Sequence, residues 1–142
     1  MARVLGIDFG ERRVGLALSD PSATIATPLP TMVRRAGKRP PVAAIVEIIQ
    51  KNDVDRAVVG LPLDLSGEET EWTAQVRDFA RKLSERAGIP VDFLDERLTS
   101  VQAERAVRSI GLKRSEREQK GRIDAAAAVL LLQTFLNRQT GS

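Results

Sequence analysis

The chain has 142 residues, with 22 Lys and Arg against 19 Asp and Glu, a formal charge of +3 and a hydrophobic fraction of 42%. With no Cys, His or Tyr, disulfides, thiol nucleophiles, Cys-based zinc sites, Ser-His-Asp catalysis and imidazole or phenol acid–base chemistry are all excluded. An enzyme of this composition works with carboxylates, Lys, Arg, hydroxyls, backbone groups or bound metal.

Residues 3–9 form a short apolar run bounded by Gly10 and read as a buried strand. Residues 14–19 read as a second strand, joined to the first through Gly10-Glu11-Arg12-Arg13 as a hairpin. Residues 25–33 add a third, which Pro28 and Pro30 confine to an edge or break. A basic turn, 34–40, leads to a helix in which Val42, Ile45, Val46 and Ile49 share one face. Ala57-Val58-Val59-Gly60 reads as a buried strand and 61–69 as a loop. A helix from about 70 to 86 follows, stopped by Gly88 and Pro90. Residues 91–94 make the last strand, ending at Asp95-Glu96. A third helix is expected over 99–110, with Thr99 and Gln102 spaced as a capping box. Residues 111–121 are expected to be a mobile loop, and 123–136 a buried final helix. The order β-β-β-α-β-α-β-α-α describes one α/β domain over 1–142, a mixed sheet with helices on both faces.

Three carboxylates stand out against their surroundings. Asp8 lies inside an apolar strand on the same face as Gly6 and Gly10, with open space expected around it. An isolated buried carboxylate costs several kcal/mol, so Asp8 needs a partner or a metal. Glu96 follows the carboxyl end of the last strand, where open α/β sheets place ligands. Asp124 opens a helix that continues as four Ala and then Val-Leu-Leu-Leu. Each also has a plainer role: a turn or ion-pair partner of Arg12 or Arg13, an ion-pair partner of Arg97, and a helix N-terminal acid. Oxygen ligands without His suit Mg²⁺ or Mn²⁺.

The positive charge is localised. Residues 97–122 carry a net +5 and 34–39 a further +4, which leaves −6 elsewhere. Such a basic patch suits a polyanion. With four Phe, one Trp and no Tyr there is little sign of a base-stacking platform, and recognition by backbone and shape is favoured over sequence readout.

At Gly6-Ile7-Asp8-Phe9-Gly10 through Val14-Gly15-Leu16-Ala17-Leu18-Ser19-Asp20 the sequence resembles the YqgF/RuvX family. The resemblance continues at Val59-Gly60-Leu61-Pro62-Leu63, at Asp95-Glu96-Arg97-Leu98-Thr99-Ser100 and at Ile123-Asp124-Ala125-Ala126-Ala127. It implies an RNase H-like mixed five-stranded sheet with helices on both faces. It also implies divalent-metal hydrolysis of phosphodiester bonds, with Asp8, Glu96 and Asp124 as catalytic acids and metal ligands. In the two-metal scheme so implied, Asp8 bridges Mg²⁺ or Mn²⁺ ions roughly 3.5–4 Å apart, and Glu96 and Asp124 each hold one. Arg97, Arg114, Arg117, Lys120 and Arg122 are expected to meet substrate phosphate, although Glu116 and Glu118 dilute the charge of that loop.

The expected substrate is RNA, in 16S rRNA 5′-end maturation, with ribosomal precursor particles as partners. A four-way DNA junction, or a non-catalytic role in ribosome assembly, are the other expectations. The Asp-x-Gly of the first strand also resembles the start of actin- and sugar-kinase-like ATPases, which need two such domains. The apolar run 125–132 is shorter than the ~20 residues of a membrane span. A cytoplasmic monomer or weak homodimer is expected.

Overall fold

The central strand sets the architecture. In a computed structural model that describes residues 3–34, 40–99 and 117–140 (side chains of 125–139 in the last segment), β1 (Arg3–Phe9) is buried from Val4 onward. A strand that is apolar on both faces needs cover on both. β2 (Arg13–Ser19) and β3 (Ala26–Val33) continue the sheet on one side as an antiparallel meander. β4 (Val54–Leu61) and β5 (Val91–Asp95) pair in parallel on the other, giving the order β3-β2-β1-β4-β5.

Two helices, α1 (Val42–Lys51) and α2 (Glu71–Ala87), cover one face. There Leu5, Ile7 and Phe9 pack with Ile45, Ile49, Val76, Phe79 and Leu83. Phe9 is stacked against Phe79 at 4.1 Å and Trp72 at 5.5 Å, with the Arg34 guanidinium 4.6 Å from its ring centre. This stack fixes the end of β1 from behind. A third helix, α3 (Arg117–Thr140), covers the other face, where Val4, Ala17, Val58 and Leu94 meet Ala128, Leu131, Leu132, Phe135 and Leu136.

Most expected elements stand where the sequence places them, and the differences have local causes. β4 begins at Val54 rather than Ala57, because Asp55 and Arg56 extend it at an exposed end where polar side chains cost nothing. α3 begins at Arg117, so 117–121 are helical and not loop. Gly121 does not end the helix: a single helical Gly costs only about 1 kcal/mol, and the flanking Arg, Glu, Gln and Lys are good helix formers. The expected helix over 99–110 lies outside the described residues beyond Thr99, which ends a single 3₁₀ turn, Glu96–Leu98.

β3 is an edge strand, as its prolines require. Pro28 and Pro30 have no N–H to offer outward. Two residues before Pro28, the Ala26 N–H donates to the side-chain oxygen of Gln133 at 3.0 Å.

Candidate active site

Strand alternation puts Val4, Gly6 and Asp8 on the α3 face of β1. The parallel register pairs Gly6 with Val58 and Ile7 with Val59, so the next residues, Asp8 and Gly60, lie level on neighbouring strands, about 4.8 Å apart. Both are at the carboxyl ends of their strands. Asp8 is 3% exposed.

Glu96 arrives from the third parallel strand. Beyond β5 the chain makes the turn Glu96–Leu98, and the Glu96 side chain, 1% exposed, lies over Gly60. A Cβ at residue 60 would stand 2.7 Å from Glu96 Oε1 and 3.1 Å from its Cγ. Only glycine leaves this seat vacant for the carboxylate. Two buried carboxylates are thus brought to the same end of the sheet, one on β1 and one over the neighbouring β4.

The space expected around Asp8 at Gly6 is filled: a Cβ there would meet Leu132 Cβ at 2.7 Å and the Ala128 carbonyl at 3.2 Å. The open face of a glycine lets the helix backbone close directly onto the sheet. The helix direction follows from two contacts. Gln133 bonds Ala26 and Thr24 at the Ser19 end of β2, beside Val4, while Ala128 reaches Gly6. The N-terminal turns of α3 therefore run toward the Asp8 end of β1. Residue 124 is one turn before Ala128 on the stripe that includes Leu131, Leu132 and Phe135. Its side chain lies outside the described residues, and among those described no group of three acids is placed to hold a metal ion.

Arg97 does not project freely. It forms a forked ion pair with Asp95, Nε to Oδ1 at 3.1 Å and Nη2 to Oδ2 at 2.7 Å, and its guanidinium lies against Gly67. The Arg97 guanidinium holds the Asp95 carboxyl below its usual range, and Asp95 in turn raises Arg97. Arg117, Lys120 and Arg122 stand in the first turns of α3, with side chains outside the described residues, as is Arg114. Sequence reasoning missed Gly60, Gly67 and Asp95 as parts of this site. A glycine closing the Val-Val-Gly run was a signal that another group approaches there.

This fold, with Asp8 and Glu96 at the carboxyl end of its parallel strands, is that of the RNase H-like proteins. The solved structure of Thermus thermophilus RuvC with a Holliday junction substrate superposes with a TM-score of 0.60, covering 99% of this chain and 97% of that one at 20% identity. The Fowlpox virus resolvase with its junction DNA gives 0.54 at 8% identity, covering 96% and 98%.

Sequence comparison narrows the class: the family model described as "RuvX: Holliday junction resolvase" matches residues 2–138, and the chain belongs to this family. A relative from Anaeromyxobacter dehalogenans, named "Putative pre-16S rRNA nuclease", is 44% identical over 137 residues, 96% of this chain and 98% of its own length. A relative of the same name from Koribacter versatilis is 42% identical over 137 residues, 96% of this chain and 88% of its own.

Proposed function

We propose that this protein is a divalent-metal-dependent nuclease that hydrolyses phosphodiester bonds, acting in 16S rRNA 5′-end maturation. The observation that carries the reading is the buried Glu96 carboxylate, reaching from the end of β5 over Gly60 of β4, which lies level with the buried Asp8 of the neighbouring β1. The donor set fits a hard cation, since carboxylate oxygens are what Mg²⁺ and Mn²⁺ prefer. Asp8, Glu96 and Asp124 would hold the metal, which supplies Lewis-acid activation of water and neutralises charge at the scissile phosphate.

The chain's own part is to hold these oxygens rigidly. Asp8 is backed by the Phe9–Phe79 stack and Glu96 by the capped turn Glu96–Leu98. Rigid placement matters because misplacement by about 1 Å costs on the order of 100-fold in rate. Arg117, Lys120 and Arg122 fall in the first turns of α3, and the sequence there is basic, as a polyanion substrate favours. The relatives' names support rRNA over other polyanions. A junction-cutting reading draws on the family description and the RuvC likeness. The cytoplasm is the setting this reading implies, and among the described residues no helix is long and apolar enough to cross a membrane.

The test is cleavage of end-labelled single-stranded RNA, single-stranded DNA and a four-way junction, each with Mn²⁺, Mg²⁺ or EDTA. RNA cutting is expected with metal only, and is expected to vanish in Asp8→Asn while the circular dichroism spectrum is unchanged. Undiminished cutting by that variant would sink the assignment, and cutting confined to the junction would move the substrate to four-way DNA.

A further inference from the structure

Asp95 has no part in the reading above, yet it builds the turn on which Glu96 stands. It is the last residue of β5, and alternation turns it to the face of Phe93, away from Leu94 and from Asp8. Its Oδ1 accepts the Arg97 backbone N–H at 2.9 Å, which caps the turn Glu96–Leu98. Its two oxygens also take the Arg97 guanidinium. Thr99 closes the far end, its N–H and hydroxyl both donating to the Glu96 carbonyl at 3.1 and 3.0 Å. The Glu96 backbone is thus tied on both sides, with its carboxylate laid over Gly60.

We infer that Asp95 is a positioning residue: by capping this turn and occupying Arg97 it presets the Glu96 carboxylate beside Asp8 to receive a divalent cation. The inference rests on the reading of Asp8 and Glu96 as cation ligands. The same pair reaches a second element. Gly67 has φ +88°, and a Cβ on it would stand 2.8 Å from Arg97 Nη1, so the loop after β4 is seated directly on the guanidinium. As a partly exposed ion pair Asp95–Arg97 contributes little to stability by itself. Its value is geometric. Groups that orient metal ligands without touching the metal typically account for about 10–100-fold in affinity.

The experiment is a Mn²⁺ titration of the full chain followed by electron paramagnetic resonance, with thermal melts of every variant. Asp95→Ala is expected to weaken Mn²⁺ binding at least about tenfold while melting close to wild type. Asp95→Asn keeps an acceptor for the Arg97 N–H and is expected to restore most of the affinity. Arg97→Gln, which keeps the capped N–H, is expected to bind nearly as wild type. Wild-type affinity in Asp95→Ala, or an Asn variant as weak as the Ala variant, overturns the inference. If Asp95→Ala does not fold, Thr99→Val carries the test from the other end of the turn: weakened binding supports the inference and unchanged binding overturns it. Asp8→Asn separates the two levels. If it binds Mn²⁺ normally, the cation reading fails and takes the inference with it. If it binds weakly while Asp95→Ala does not, the inference alone falls.

Discussion

Glycine matters in this chain for two different physical reasons, and one pair of substitutions separates them. At Gly60 the constraint is space: an added methyl would meet Glu96 Oε1 at 2.7 Å and Leu131 Cδ1 at 3.3 Å. At Gly88 the space is open and the constraint is backbone, since φ is +70° at the left-handed cap of α2. Gly60→Ala is expected to cost roughly 1–3 kcal/mol of stability through overpacking and to weaken Mn²⁺ binding and cleavage together. Gly88→Ala is expected to cost about 1 kcal/mol and leave cleavage at the wild-type rate. Urea melts beside the cleavage assay check both. Asp8 and Glu96 were legible in the sequence because an acid amid apolar residues, or at the end of a buried strand, needs a reason. Gly60 and Asp95 were less so. Their roles depend on which residues the β1–β4 register makes neighbours, and on a fork between side chains two residues apart, neither of which periodicity encodes.

The loop after β4 and the start of α2 are tied together through one buried hydroxyl, that of Thr73. Thr70 caps α2, accepting the Thr73 N–H at 3.4 Å, while the Thr73 hydroxyl accepts the Thr70 N–H at 2.9 Å. The same Thr73 hydroxyl donates to the Pro62 carbonyl at 2.5 Å, joining the helix start to the loop after β4. Thr73 is fully buried, so Thr73→Val, which keeps the shape, leaves the Pro62 carbonyl and the Thr70 N–H without this partner. A loss of about 1–3 kcal/mol is expected, read as a lower urea midpoint with an unchanged slope. The strands were visible in the sequence as short apolar runs between turn residues, and the first two helices through their period of 3.6. The capping box here is Thr-x-x-Thr, which a search for Glu or Gln three residues on passes over. The start of α3 was misjudged for the opposite reason, a glycine taken for a boundary that the surrounding helix formers outweigh.

Taken whole, the molecule relies on charged Asp side chains at its surface. The Asp20 carboxylate is held well below its usual range by the backbone N–H of Ile25, with the Ser22 hydroxyl and Thr24 adding to the effect. Asp64 is lowered by the Ser66 hydroxyl and the Glu68 N–H, Asp78 by Lys82 and Arg81, and Asp95 by Arg97. A carboxyl whose folded pKa is depressed contributes stability that is present above its unfolded value, near 4, and lost as the pH falls through the lower folded value. The urea midpoint is therefore expected to drop as the pH is taken below about 4. The decline should be shallower in Asp20→Asn, and a midpoint indifferent to acid would contradict this. Exposure screens each group, so the slope is gentle. The global architecture, a mixed sheet covered on both faces, was legible from the order of elements alone. The direction of α3 across the sheet was not, because it follows from side-chain contacts at Gly6 and Gln133 far apart in sequence.

The outer margin of β3 has a consequence for assembly. Growing a sheet by one more strand requires alternating donors and acceptors along its rim. At three alternate positions here the donors are gone, two replaced by proline rings and the third claimed by Gln133. From Ala26 to Pro30 that rim offers no free run of donors, which works against zipping a second copy along it into a continuous ten-stranded surface. Cutting both arms of a four-way junction at once calls for two centres related by a two-fold axis. Were this chain to cut such a junction as a pair, the axis would pass through some other flank, and that flank would set the spacing between the cuts.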